Sequence, residues 1–107
     1  MLEVEQYNNK FYLSFHETDQ FNLYNAKQVE VELMQYVSKP SVSVTLNLNE
    51  VSFIDSSAFE TLLNVLRNAK INNTDFELAH VSEGAMELIK IMQLDNVFNI
   101  RPNNNNR

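Results

Sequence analysis

From Val42 to Asn49 the chain alternates without a break. Val42, Val44, Leu46 and Leu48 are apolar, while Ser43, Thr45, Asn47 and Asn49 are polar. A two-residue period puts successive side chains on opposite faces of a β-strand. It also implies that only one face is covered, because a strand buried on both faces is apolar throughout. Phe11, Leu13 and Phe15 alternate in the same way with Tyr12, Ser14 and His16, predicting a strand over 11–16. A strand over 3–7 precedes it, with Tyr7-Asn8-Asn9-Lys10 as the turn. Phe76 to Val81 predicts a further strand. Val97 to Ile100 predicts a short last one, stopped by Pro102.

Between these strands the period becomes helical. Ala26, Val29, Leu33 and Val37 share one face and predict a helix from about Leu23 to Val37, with Lys27, Glu30 and Gln35 outward. Residues 17–22 before it are polar and read as a loop. Lys39-Pro40 ends the helix, since the residue before proline is driven out of helical geometry. Phe59, Leu62, Leu63 and Leu66, extended by Ala69, predict a second helix over about Ser57 to Lys70. Asn72-Asn73 closes it, asparagine tolerating the left-handed conformation. Ser82 is placed to cap a third helix, about Glu83 to Met92, which buries Met86 and Ile89. Met34, Met86 and Met92 are expected in the core or at its margin.

The predicted order is ββαβαβαβ. Strand–helix–strand repeats call for largely parallel pairing. The expectation is one α/β domain over residues 1–101, a mostly parallel sheet of four to five strands with helices mainly on one face. Residues 102–107, rich in asparagine, are expected to form a disordered tail.

Composition narrows the function. The chain has 107 residues and a net charge of −6. Nucleic acid and anionic membrane surfaces both demand a basic patch, so neither is an expected partner. There is no cysteine, which removes disulfides and thiolate chemistry. No apolar run reaches membrane-spanning length, and no signal pattern opens the chain, so a cytoplasmic protein is expected. Gly84 is the only glycine, so a glycine-rich phosphate loop is excluded. Two histidines and scattered carboxylates show no metal-ligand spacing, and neither metal nor cofactor is expected. A hydrolase triad of Ser57 with His16 or His80 lacks the Gly-x-Ser-x-Gly elbow and is rejected.

The chemistry concentrates in Val51-Ser52-Phe53-Ile54-Asp55-Ser56-Ser57-Ala58-Phe59, between the alternating strand and the second helix. A helix N-terminus presents unpaired amides and a positive dipole end, which stabilise an anion. A hydroxyl there can carry a phosphate. The other reading is that Asp55, Ser56 and Ser57 simply cap the helix.

Leu46-Asn47-Leu48-Asn49-Glu50-Val51-Ser52-Phe53-Ile54-Asp55-Ser56-Ser57 resembles the core strand and Asp-Ser-Ser signature of the STAS domain, the fold of bacterial anti-sigma-factor antagonists. The likeness continues through Leu62, Leu63 and Leu66. It resumes in Met86-Glu87-Leu88-Ile89 and Leu94-Asp95-Asn96-Val97-Phe98, covering about residues 11 to 100. The resemblance implies a non-enzymatic partner switch. In that family the unphosphorylated protein captures an anti-sigma factor that is also a serine kinase of the histidine-kinase-like ATPase type, and so frees a sigma factor. Phosphorylation of the second serine breaks the complex, and a serine phosphatase resets it. Carried over, the acceptor is Ser57, with Asp55 and Ser56 shaping the site.

Two positions depart from the family pattern. Ala58 stands where glycine is usual, and Asn22 stands where an aspartate is common. Both belong to the implied site. Glu60, Thr61, Asn64, Arg67 and Asn68 lie off the predicted buried stripe of the second helix. With Asn25 and the 22–25 loop they form either a solvated face or the partner-binding surface beside Ser57. The rival to the switch is an unphosphorylated STAS scaffold subunit of a larger assembly, such as a lipid-transport or sensor complex.

Overall fold

A computed structural model describes residues 1–102. The chain runs β1 (Leu2–Tyr7), β2 (Lys10–Phe15), β3 (Gln20–Phe21), α1 (Ala26–Val37), β4 (Ser43–Asn47), β5 (Phe53–Ile54), α2 (Ser56–Ile71), β6 (Asp75–Ala79), α3 (Glu83–Ile91) and β7 (Asn99–Ile100). β1 and β2 form a hairpin whose turn holds Asn8 in the left-handed region, φ 55°. The main sheet has the order β1-β2-β4-β6-β7, and every pairing after the hairpin is parallel. No helix among the described residues is long and apolar enough to cross a membrane.

Alternation gives the sheet one covered face. Phe11, Leu13 and Phe15 of β2, Val44 and Leu46 of β4, and Phe76 and Leu78 of β6 are all buried. They pack with Val29, Leu33 and Val37 of α1 and Phe59, Leu62, Val65, Leu66 and Ala69 of α2 in one core. The opposite face is polar, but not uniformly wet. Thr45 sits between Tyr12 and Glu77 in register, donates its hydroxyl to Glu77 at 2.9 Å, and is only 4% exposed.

The structure adds two strands that alternation did not predict. β3 and β5 pair in parallel as a separate two-stranded sheet, Gln20 opposite Phe53 and Phe21 opposite Ile54. Two residues cannot display a period, so the segment read as a loop over 17–22 ends in a strand. The first helix begins at Ala26 rather than near Leu23, because residues 22–25 are folded into a hydrogen-bonded loop. Further along, Val65 replaces Leu63 in the fully buried stripe of α2. Asn73, at φ 57°, supplies the left-handed residue that ends the helix. α3 buries Ala85 and Ile89, whereas Met92 is 43% exposed, outside the core. β7 is shorter than predicted, since the amides of Val97 and Phe98 bond back to the Leu94 carbonyl. Most of the expected tail, residues 103–107, lies outside the described residues.

Candidate functional site

The Asp-Ser-Ser segment lies where β5 gives way to α2. Asp55 is the N-cap, in extended backbone with φ −102° and ψ −178°. Its carboxylate works in two directions. Oδ1 accepts the Ala58 amide at 3.0 Å, satisfying one of the donors a helix start leaves free. Oδ2 accepts the Leu23 amide at 2.9 Å, across 32 positions of sequence. The Asp55 amide donates to the Phe21 carbonyl at 3.2 Å. One residue thus fastens the segment around 21–23 to the first turn of α2.

Asparagines shape that segment from within. The Asn25 side chain accepts the Asn22 amide at 2.9 Å and donates to the Gln20 carbonyl at 2.8 Å. The Asn22 side chain accepts the Tyr24 amide at 2.9 Å and donates to the Gln20 side-chain oxygen at 2.8 Å. An aspartate at 22 could hold the Tyr24 amide, but it could meet Gln20 only after that amide turned over. The tight loop leaves Leu23 66% and Tyr24 93% exposed. Phe53, on the outward side of β5, is 48% exposed. Large apolar side chains therefore stand in solvent beside the start of α2.

Ser56 and Ser57 occupy the first and second helical positions. Ser56 is exposed and Ser57 half-buried. Among the described residues, neither amide finds an acceptor in the chain, so both remain for an incoming anion. Ala58 is wholly buried, and its methyl belongs to the core rather than to the surface bearing Ser57. Among the described residues, four of the surface clefts, of about 240–350 Å³, are lined without any of residues 51–60. Phe53 and Ser56 of the segment are exposed, which suits a macromolecular partner better than a small substrate held in a pocket.

Glu60, Asn64, Arg67 and Asn68 follow Ser57 along α2 at spacings of three and four, one side of the helix. Glu60 and Arg67 are exposed, and Asn64 and Asn68 half-buried. The Arg67 guanidinium donates to the Asn64 side chain at 2.9 Å, and the Asn68 amide donates to the Asn64 carbonyl at 3.0 Å. Two residues expected on this surface are not there. Thr61 is 4% exposed in the seam between the helices, donating its hydroxyl to the Ala26 carbonyl at 3.3 Å. Asn25 is 9% exposed and holds the loop rather than presenting itself. In their place come Leu23, Tyr24 and Phe53. By its spacing from Ala26, Leu23 reads as the first residue of a helix, whereas the helix starts at Ala26. The signal that it is not helical is the pair Asn22 and Asn25 around it, since asparagine side chains compete locally for backbone amides.

Neither histidine bonds to Ser57. His16 lies between Glu3, at 3.1 Å, and Glu17, at 3.2 Å, and His80 is exposed after β6 at φ 55°. No cluster of three or more His, Asp or Glu side chains among the described residues is arranged to hold a metal ion.

The description "STAS domain" belongs to the family model that matches residues 2–106. Solved structures share the fold. An anti-sigma-factor antagonist (STAS) domain protein from Planctomyces limnophilus is 20% identical, over 92% of this chain and 87% of that one, with a TM-score of 0.83. The anti-sigma factor antagonist SpoIIAA in its unphosphorylated form is 13% identical, over 95% and 89%, with a TM-score of 0.75. The Bacillus cell fate determinant SpoIIAA in its phosphorylated form is 13% identical, over 95% and 92%, with a TM-score of 0.68. At these identities the likeness establishes the architecture.

Proposed function

The chain belongs to the STAS-domain family, and on that premise we propose that it is a cytoplasmic anti-sigma-factor antagonist switched by phosphorylation at Ser57. Unphosphorylated, it binds a serine-kinase anti-sigma factor of the histidine-kinase-like ATPase type. The kinase passes the γ-phosphoryl group of ATP to the Ser57 oxygen, the hydroxyl proton leaves to solvent, and ADP is released. A serine phosphatase restores the hydroxyl.

One observation carries this reading: Leu23 and Tyr24, in the loop bonded to Asp55, and Phe53, two residues before Asp55, are exposed next to a helix start whose second residue is a half-buried serine. Apolar groups supply a desolvated contact, and the serine lies at its edge. A phosphate adds close to two negative charges and three acceptors. The first turn of α2 stabilises that charge in the free protein, whereas a docked partner meets it as bulk and unpaired charge. Binding therefore falls while the fold stays.

The test combines the purified protein with a serine-kinase anti-sigma factor encoded beside it, with and without ATP. The expected result is a stable complex without ATP, phosphate on Ser57 with ATP, and no phosphate on Ser57→Ala. Ser57→Asp is expected to bind about 100-fold more weakly, the scale of a charge buried at an interface. A complex that forms equally well with Ser57→Asp, and a Ser57 that takes no phosphate, would favour the scaffold reading.

A further inference from the structure

We infer that Asp55 is the positioning residue through which a charge on Ser57 reaches Leu23 and Tyr24, so that phosphorylation loosens the docking loop as well as obstructing it. This rests on the proposed role of Ser57. The observation behind it is the division of one carboxylate between two elements, Oδ1 on the Ala58 amide and Oδ2 on the Leu23 amide. The two oxygens belong to one planar group, so a rotation that frees one disturbs the other.

Among the described residues, no other side-chain hydrogen bond ties residues 22–24 to the start of α2; the remaining bonds of those residues stay within 20–26. A phosphate on Ser57 stands two residues from Asp55 and is attracted to the amides of the helix start, of which Asp55 already holds that of Ala58. Like charges at that range repel. Either effect turns the Asp55 carboxylate away from Ala58, and the Leu23 amide loses its acceptor with it. The disturbance is bounded. The β3–β5 pairing and the bond from the Asp55 amide to the Phe21 carbonyl use backbone groups only, so Phe21 and Ile54 stay in the core. The loosened piece is residues 22–24, which include the most exposed apolar side chains of the candidate surface.

The isosteric variant Asp55→Asn separates the two roles. Asparagine is a good N-cap, so its single side-chain oxygen can keep the Ala58 amide. Its amide group then faces the Leu23 N–H, donor against donor. Hydrogen exchange of individual amides by NMR reads the outcome on the free protein. In Asp55→Asn the Leu23 amide is expected to exchange about tenfold faster, the loss of one charge-assisted bond, with Ala58 unchanged. Ser57→Asp should speed Leu23 in the same direction, Ser57→Ala should not, and the double variant Asp55→Asn/Ser57→Asp should add nothing to Asp55→Asn alone. Equal Leu23 protection in the wild type and Ser57→Asp would overturn the coupling. So would additive effects in the double variant. Because no partner is present, failure to bind an anti-sigma factor would sink the functional reading and leave this result intact, and the converse also holds.

Discussion

Two helices of this molecule begin in the same way. Asp55-Ser56-Ser57-Ala58 opens α2, and Ser82-Glu83-Gly84-Ala85 opens α3. In each, the cap side chain accepts the amide of the alanine three residues on, at 3.0 Å and 3.1 Å, and in each that alanine is wholly buried. Such a cap contributes about 1 kcal/mol. The difference lies in what is added to it. Ser82 has a single oxygen, and its bond is local. Asp55 has a second oxygen and uses it on a distant loop. The second helical position carries a hydroxyl in α2, at Ser57, and nothing in α3, at Gly84. A cap by itself is a device of stability. A cap that also holds a neighbouring surface, next to a group that can be modified, is the beginning of a switch.

The contrast fails most completely if the support beneath Asp55 is dispensable. Phe21 is wholly buried, its ring centroid 5.1 Å from that of Phe15, and its carbonyl holds the Asp55 amide. Phe21→Ala is expected to cost about 3–5 kcal/mol in urea unfolding, the usual penalty for deleting a buried aromatic ring. A loss below about 1 kcal/mol, the size of an ordinary surface change, would mean that the small sheet is not integral to the core.

The second test sets the two caps against each other. Ser82→Ala removes one local bond and should cost about 1 kcal/mol. Asp55→Ala removes a comparable cap and a charge-assisted bond to Leu23 as well, and should cost about 2 kcal/mol. The informative quantity is the difference, read from urea midpoints with unchanged slopes. Equal losses would show that the Leu23 bond contributes nothing and that the two helix starts are alike.

The sequence showed the local half of this comparison and not the tertiary half. Ser82 was legible as a cap because its partner lies three residues away. That α2 is capped somewhere in Asp55-Ser56-Ser57 was legible for the same reason, though not that Asp55 is the cap. So were the strands at β2, β4 and β6 and the stripe of α1, all of which repeat within a short window. The Leu23 tie was not, since nothing in residues 22–25 announces a partner 32 positions later. Two-residue strands such as β3 and β5 carry no period at all. Polarity also misled at single positions. Thr61 reads as surface but satisfies its hydroxyl on the Ala26 carbonyl and so can be buried. Leu23 and Tyr24 continue an apolar pattern, yet the neighbouring asparagines use the backbone amides for a loop and leave both side chains outside.

The smallest effect sharpens the contrast at its centre, the second position of each helix. Gly84 is a helical glycine without positive φ, so no backbone strain requires it. A methyl built there would meet the Ser52 carbonyl oxygen at 3.7 Å, ordinary van der Waals contact. Replacing a helical glycine by alanine reduces the freedom of the unfolded chain and favours the helix. Gly84→Ala should therefore stabilise the protein by about 0.5 kcal/mol, less than a mid-helix value because the position lies in the first turn. Thermal unfolding should register a rise of about 2–4 °C. A fall instead would mean that the α3 start needs close approach to Ser52, and that the position is constrained by packing. A rise would mark Gly84 as a position where nothing is asked beyond helix formation. The matching residue of α2, Ser57, would then be the one of the two whose side chain stability does not explain.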